Sequence, residues 1–306
     1  MALLKIGIVG AGIGGLAAAS LLAQRGHSVT LAERFATPRP LGSGLVVQPV
    51  GLAVLDAIGA GHAARALGAP IRRMLGHAGR HTVLDVAYRP QAPGLAMHRA
   101  SLFAVLWDAA VASGITIETG AAVTAAPLIG QGRRIDRAGA DPLGPFDLVV
   151  DASGTGSALS PLRARPLAFG AVWGQVPWPE TANLPHDMLT QRYHRASRMA
   201  GILPIGQLPD DATPRAAVFW SLPAAERDLW PDCDITAWKA EVTAFWPDLA
   251  PFLATVTRAT DMTASRYFHG SLRKPFAQGL AFIGDAAHRA SPQLGQGANM
   301  ALLDAM

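Results

Sequence analysis

Two glycine-rich segments stand almost as far apart as the chain allows: Gly10-Ala11-Gly12-Ile13-Gly14-Gly15 near the start, and Gly284-Asp285 with Gly295-Gln296-Gly297-Ala298-Asn299 near the end. The first could hold a dinucleotide pyrophosphate. Gly10 permits a tight turn, Gly12 lets a phosphate approach the backbone, and Gly15 brings a helix against a strand. A phosphate in that turn meets unpaired N–H groups and the positive end of a helix dipole. Glu33 follows at roughly the 20-residue spacing from which a carboxylate accepts hydrogen bonds from adenosine ribose hydroxyls. In the second segment, Asp285 follows an apolar run and could accept hydrogen bonds from ligand hydroxyls. The amides near Gly297, Ala298 and Asn299 lie at a helix start, where their dipole stabilises negative charge on a ligand.

Those residues need strands and helices to aim them. The pattern predicts a strand over 6–9, a small-residue helix over 16–25 and a strand over 28–32. An extended piece at 44–48 leads into a helix over 49–58. Residues 71–77 and 82–87 flank Gly79-Arg80 and predict a hairpin. A helix is expected over 101–112 with Ser101 as its N-cap, and short strands over 115–118 and 146–150. From about 166 to 267 the pattern changes to short strands (167–175, 199–204, 216–222) with proline-rich connections, followed by a helix over 234–246. The chain then returns through an apolar strand at 279–283. The expected fold class is α/β: a Rossmann-like dinucleotide-binding domain (1–70, 91–165 and 268–306) interleaved with a mostly antiparallel β-sheet domain (71–90 and 166–267).

Composition narrows the function classes. With 306 residues, 50% of them hydrophobic and 16% charged, the chain describes a globular protein rather than a disordered one. The formal net charge is +4, and Lys5, Lys239 and Lys274 are its only lysines. The arginines are scattered rather than striped along one helix, which argues against nucleic-acid binding. The single cysteine, Cys233, cannot close an internal disulfide, and a cytoplasmic location is expected. Residues 1–23 are read as strand, turn and helix rather than as a signal peptide, and no apolar run of about 20 residues predicts a membrane span. No metal site is expected, and a homodimer is compatible with the chain.

With both glycine segments in view, the chain resembles the para-hydroxybenzoate and salicylate hydroxylase-like family of FAD-dependent aromatic-ring hydroxylases. The likeness rests on residues 7–16, Glu33-Arg34, Gly44-Leu45-Val46-Val47-Gln48-Pro49, His98-Arg99 before a helix, and the run from Gly284 to Asn299, in which Ser291-Pro292 precedes Gly295-Gln296-Gly297-Ala298-Asn299. It implies that FAD is held by Gly10, Gly12, Ile13, Gly14, Gly15, Glu33, Arg34, Gln48, Arg99, Val123, Asp151, Gly154, Gly284, Asp285, Gly295, Gly297, Ala298 and Asn299. Asp285 would bind the ribityl chain, Arg99 would approach the phosphates, and the amides near Asn299 would face the isoalloxazine ring. The family's usual Gly-Ala-Asp-Gly run is replaced here by Asp151-Ala152-Ser153-Gly154. Asp-Ala-Ser-Gly occurs in halogenase-like and reductase-like flavoproteins. The family also continues well beyond the helix in which Met306 falls, so a truncated chain is expected.

The resemblance implies that NADH or NADPH reduces FAD, that the reduced flavin forms a C4a-hydroperoxide with O2, and that one oxygen passes to an aromatic or polyketide-like small molecule. No second GxGxxG is present, so the NAD(P)H is expected to visit transiently. Pro292 matches a proline beside the oxygen-reacting face. Candidate substrate residues on the second sheet are Trp173, Gln175, Arg192, His194, Met199, Phe219 and Trp220, with Arg192 as a carboxylate partner and His194 as a base for a phenol. Which of them face the cofactor depends on strand register, which one sequence does not set. A halogenase-like enzyme, a flavin reductase or dehydrogenase, and a non-catalytic FAD-binding subunit are the alternatives.

Overall fold

The computed structural model describes residues 2–37, 44–195, 197–291 and 295–306. In chain order the first half contains β1 (Lys5–Val9), α1 (Ile13–Gln24), β2 (Ser28–Ala32), β3 (Gly44–Val47), α2 (Pro49–Ala57), α3 (Gly61–Leu67), β4 (Ala69–Ile71), β5 (Arg73–Ala78), β6 (His81–Ala87), β7 (Gly94–His98), α4 (Arg99–Ala112), β8 (Thr116–Glu118), β9 (Val123–Ala125), β10 (Leu128–Ile129), β11 (Gly132–Arg137), β12 (Ala140–Phe146) and β13 (Leu148–Asp151). The second half contains β14 (Arg165–Pro177), β15 (Met188–His194), β16 (Arg198–Pro204), β17 (Arg215–Pro223), α5 (Ala224–Asp228), α6 (Ile235–Phe245), β18 (Thr263–Ser271), β19 (Phe276–Ala277), β20 (Leu280–Phe282), β21 (His288–Arg289) and α7 (Gln296–Asp304).

The nucleotide layer is a six-stranded sheet in the order β19-β20-β13-β1-β2-β8. All its neighbours are parallel except the β19–β20 pair. Its central strands are mostly apolar and buried because both faces are covered. Ile6 and Ile8 of β1 join α1, α2 and α4 in one core. On the other face Val9 and Val149 meet Ile135 and Phe146 from a small antiparallel sheet, β9 to β12. Gly7 of β1 allows that approach: a Cβ there would lie 2.7 Å from Ile135 and 2.8 Å from Phe146.

The second layer is an eight-stranded sheet in the order β21-β18-β14-β17-β16-β15-β5-β6, antiparallel except between β15 and β5. The β5–β6 hairpin turns through Gly79 at φ +60°. One face of this sheet is backed by α6 and the turns after it, with Val172, Ile202, Val218 and Trp220 packed on Trp230, Trp238, Trp246 and Phe252. Each such fully buried large side chain contributes about 1.5–3 kcal/mol of transfer free energy. The opposite face, formed by Met74, Leu189, Leu203 and Ala217, docks on Val46, Ile71 and Ala96 of a three-stranded sheet, β3-β7-β4. Gly44 is required at that joint, since a Cβ would lie 2.3 Å from Ile205.

Several local expectations need correction. The helix expected to be capped by Ser101 begins earlier, at Arg99. His98 is its cap, its Nδ1 accepting the Ala100 N–H at 2.9 Å, while Ser101 is buried and donates to the Gln207 carbonyl at 2.6 Å. The strand expected over 146–150 is two strands, with β12 ending at Phe146 and β13 beginning at Leu148. β15, β18 and the small sheet over 123–146 were not expected at all. β9 to β12 and β18 carry many exposed residues and weak alternation, so sheet pairing rather than local pattern decides them.

His98 also joins the two layers. Its backbone N–H donates to the Ile205 carbonyl at 2.7 Å, and its Nε2 meets Gln175 Oε1 on β14. Because Nδ1 is an acceptor, Nε2 carries the proton and donates; burial pushes the imidazole below its ordinary value, so the ring is neutral. His98→Ala is expected to lower stability by about 1–2 kcal/mol through loss of the cap and the inter-layer bond. A fall in the urea midpoint at unchanged slope measures this, and His98→Asn, which keeps a capping oxygen, should recover part of it.

Candidate functional site

The first turn is built as its glycines demand. Gly10 stands at φ +101°, and a Cβ there would meet Ser153 Cα at 2.7 Å; a Cβ on Gly15 would lie 1.9 Å from the Gly10 carbonyl oxygen. Gly12, the N-cap of α1, brings no side-chain cap, so the first N–H groups of the helix are open to an anion. A Cβ on Gly12 would have only the Ala152 oxygen nearby, at 3.9 Å, which leaves the backbone room to receive a phosphate. Gly14 instead packs on α7, its would-be Cβ 3.1 Å from the Ala301 oxygen, and half-buried Ile13 packs into the core below. Glu33 closes β2 beside this turn and accepts the Ala11 N–H at 2.8 Å and the Phe35 N–H at 3.0 Å. Its remaining lone pairs are available to ribose hydroxyls. Arg34 is exposed, with its guanidinium over the Phe35 ring.

The departure at residues 151–154 has a structural answer. Asp151 is 0% exposed, and its carboxylate accepts the Ser153 N–H at 3.0 Å, the Ser153 hydroxyl at 2.5 Å and the Ser157 hydroxyl at 2.5 Å. Ser157 in turn accepts the Leu159 and Ser160 N–H groups, and Ser160 donates to the Ala286 carbonyl at 2.5 Å. A carboxylate therefore still organises this loop, from a position two residues earlier and through a serine. The loop is tied to the turn that carries Asp285 by Ser160 and by Arg289, whose Nη2 donates to the Thr155 carbonyl at 2.6 Å. Gly154, at φ +75°, has open space where a side chain would be.

That second turn, Gly284–Ala286, brings Asp285 to the end of β20. Its carboxyl is crowded by protein on one side and open on the other. Partial burial raises its pKa, against the lowering influence of Arg99, Arg289 and His288. Arg99, at the first position of α4, shows the reciprocal effect: burial lowers its pKa and Asp285 opposes the shift. His288 Nε2 meets Asp304 Oδ2 at 2.6 Å, and the same oxygen accepts the Gly284 N–H at 2.8 Å, which fastens the turn to α7.

Gly295, at φ +63°, caps α7, and Gly297 has nothing within 4 Å of a would-be Cβ. Ala298 is buried. Asn299 is 1% exposed: its Oδ1 accepts the Gln48 N–H at 2.7 Å and its Nδ2 donates to the Val46 carbonyl at 2.9 Å and the Gly295 carbonyl at 3.0 Å. Its side chain is thus spent on joining the chain's two ends. Gln48 caps α2, and its Oε1 accepts the Tyr88 hydroxyl at 2.6 Å. Val123, on β9, packs beside Val9 and the small sheet.

The donor set fits a flavin dinucleotide: an uncapped helix start with room for phosphate, two carboxylates at strand ends, and a glycine-lined backbone at Gly297. Register separates the candidate substrate residues. Trp173, Gln175, Met199 and Phe219 fall on the face that docks toward Val46 and His98. Arg192, His194 and Trp220 are a correction. They alternate onto the helix-backed side, where Arg192 lies over the Trp246 ring at 5.5 Å and Trp220 is core, while His194 ends β15 exposed; none faces the nucleotide layer. Pro292 lies outside the described residues. Tyr88, Gln191 and Tyr193 escaped notice in the sequence, although three tyrosines in 306 residues could have drawn attention to them. Among the described residues there is no cluster able to hold a metal ion and no helix long and apolar enough to cross a membrane.

Comparison with known proteins points to the same cofactor class. Residues 4–134 match the FAD binding domain family model. A 2-heptyl-3-hydroxy-4(1H)-quinolone synthase of Mycobacteroides abscessus is 31% identical, across 98% of this chain and 79% of that protein. A probable enzyme of the same description from Rhodococcus erythropolis is 30% identical, across 98% of this chain and 77% of that protein. The fold is shared with 2-methyl-3-hydroxypyridine-5-carboxylic acid oxygenase, at a TM-score of 0.84 and 24% identity over 99% of this chain and 81% of that one.

Two measurements probe the site. Asp151→Asn leaves an amide N–H facing serine hydroxyls that the carboxylate now binds, and FAD affinity should fall by about tenfold or more in a fluorescence titration. The His288–Asp304 pair raises the histidine pKa above its ordinary 6.5, mainly through the hydrogen bond to Asp304. Its stabilisation is therefore fully present below about pH 6.5 and lost as pH rises through the raised folded-state value. The difference in melting temperature between the parent and Asp304→Asn should be largest near pH 6 and shrink toward pH 8.

Proposed function

Because the chain belongs to the family of FAD-dependent, aromatic-hydroxylase-type monooxygenases, we propose that its two glycine segments, Asp285 and the Asn299 backbone hold FAD with its reactive ring over the face of the eight-stranded sheet that carries Trp173 and Phe219. The protein is an FAD-dependent oxidoreductase that consumes NAD(P)H and O2 and hydroxylates an aromatic or polyketide-like small molecule. Overall, the substrate C–H becomes C–OH, the second oxygen atom leaves as water, and NAD(P)H supplies the two electrons. The relatives' names carry the substrate class: quinolone synthases, a 3-amino-4-hydroxybenzoate 2-monooxygenase and a 6-methylpretetramide 4-monooxygenase. Halogenase-like and reductase-like readings of Asp-Ala-Ser-Gly are not favoured, since Asp151 accounts for that run without them.

When bound, FAD supplies two-electron transfer from NAD(P)H and activation of O2. The chain's residues bind, orient and exclude water. The start of α1 and Arg99 would neutralise phosphate charge, Glu33 and Asp285 would accept hydrogen bonds from cofactor hydroxyls, and the dipole of α7 would favour negative charge near Gly297. The observation that supports this reading is the Asn299 junction, which sets the start of α7 against β3 and Gln48. The sequence carries one GxGxxG, at Gly10 to Gly15, which supports NAD(P)H as a transient co-substrate. A cytoplasmic location suits a chain with a single thiol, Cys233.

Anaerobic mixing of FAD-loaded protein with NADH or NADPH, then O2, tests the proposal. Bleaching of the flavin accelerated by an aromatic ligand, followed by a hydroxylated product containing one oxygen from O2, is the expected result. Bleaching with hydrogen peroxide as the sole oxygen product across the ligand panel would assign the protein to the reductases instead.

A further inference from the structure

The open face of the eight-stranded sheet is built for flat aromatic contact. Across β5, β15, β16, β17 and β14 the register aligns Gly76, Gln191, Gly201, Phe219 and Trp173 in one row. The two glycines let rings lie down on the sheet. A Cβ on Gly201 would sit 1.9 Å from Phe219 Cζ, and one on Gly76 would sit 2.7 Å from Tyr193 Cε2. Trp173 is held by its indole N–H, which donates to Ser265 Oγ at 2.7 Å.

Two tyrosines border this floor, and each has its proton engaged by a glutamine. The Tyr193 hydroxyl donates to Gln191 Oε1 at 2.7 Å, and Gln191 is itself 2% exposed. The Tyr88 hydroxyl donates to Gln48 Oε1 at 2.6 Å and lies 3.6 Å from Met74 Sδ. Met74 and Gly76 are alternate residues of β5 on this face, so both hydroxyls edge the same stretch of sheet. Burial raises the pKa of both tyrosines, which keeps them protonated. A hydroxyl whose proton is committed offers only lone pairs to a ligand. Among the described residues, the row from Gly76 to Trp173 carries no formal charge, and on β17 of this face Arg215 is paired with Asp211 at 2.6 Å.

We infer that Gln191 and Tyr193 form a specificity device that selects an uncharged aromatic ring bearing an O–H or ring N–H donor, and that rejects carboxylate-bearing rings. The inference rests on the monooxygenase reading for the place of the ligand. A donor finds the Tyr193 oxygen, whereas a carboxylate would lose its water with no cation among the described residues of that row to replace it. Gln191 acts through Tyr193 and is a positioning residue.

The test is equilibrium binding to oxidised, FAD-loaded protein, read from the flavin absorption spectrum without NAD(P)H, so it stands or falls apart from turnover. The probes are 2-naphthol, its methyl ether and 3-hydroxy-2-naphthoate. Naphthol should bind about tenfold or more tighter than either of the others. Tyr193→Phe keeps the ring over Gly76 and should reduce the naphthol-to-ether ratio to about one, with FAD affinity unchanged. Gln191→Leu frees the tyrosine proton and should shift the ratio toward the ether, a change that a purely structural role would not produce. No spectral response to naphthol, tighter binding of the naphthoate, or an unchanged ratio in Tyr193→Phe would each overturn the inference.

Discussion

The site depends on one buried amide. Asn299 bonds three backbone groups where β3, α2 and α7 converge, and it joins residues 251 positions apart. Each bond contributes about 0.5–1.5 kcal/mol net, but leaving a buried carbonyl or N–H unmet costs about 1–3 kcal/mol, so the junction is specified more strongly than its bonds alone suggest. With Asn299 in place, the start of α7 lies beside Gln48, and Gln48 in turn orients Tyr88. The start of α7, the start of α2 and the Tyr88 hydroxyl thus share one hydrogen-bond chain.

A second chain runs through Asp151, Ser157 and Ser160 to the Ala286 carbonyl. It couples the end of β13 to the turn carrying Asp285. α1, whose start has no side-chain cap, packs beside both hydrogen-bond chains: a Cβ on Gly15 would lie 3.2 Å from Ala152 Cβ, and one on Gly14 would lie 3.1 Å from the Ala301 oxygen. Rigidity here has an electrostatic purpose. Helix dipoles and fixed amides act on ligand charge only when they need not reorganise, and close packing of Gly10 on residues 152–153 and of Gly15 on Gly10 holds them still.

The division of the eight-stranded sheet into two unlike faces follows from the same economy of polar groups. The side toward α6 gathers tryptophans and is sealed. The other side docks at one end on β3, β4 and β7, and its remainder is left to Phe219, Trp173, Tyr193 and Gln191. Glycines at 76 and 201 flatten that remainder, which is why aromatic rings line it without filling it.

The sequence by itself determined the nucleotide layer and its ligand class. The glycines at 10, 12 and 15, Glu33, and the Gly284 to Asn299 run each have a local backbone reason to be where they are, and local reasons survive in a linear pattern. It also marked the β5–β6 hairpin through Gly79 and a helix over 234–246, which the structure places at Ile235–Phe245 with Asp234 as its cap. It left the candidate substrate residues unsorted, because a strand's alternation sets two faces but not which one is buried against what. Only pairing of β15 with β16, and of β16 with β17, placed Arg192 and His194 on the helix-backed side and Gln191 and Tyr193 on the other. The cap at His98, the transposed carboxylate at Asp151 and the reach of Asn299 were likewise decided by tertiary contact, since in each case the partner that gives the residue its role lies elsewhere in the chain or on a strand whose course no local signal announced.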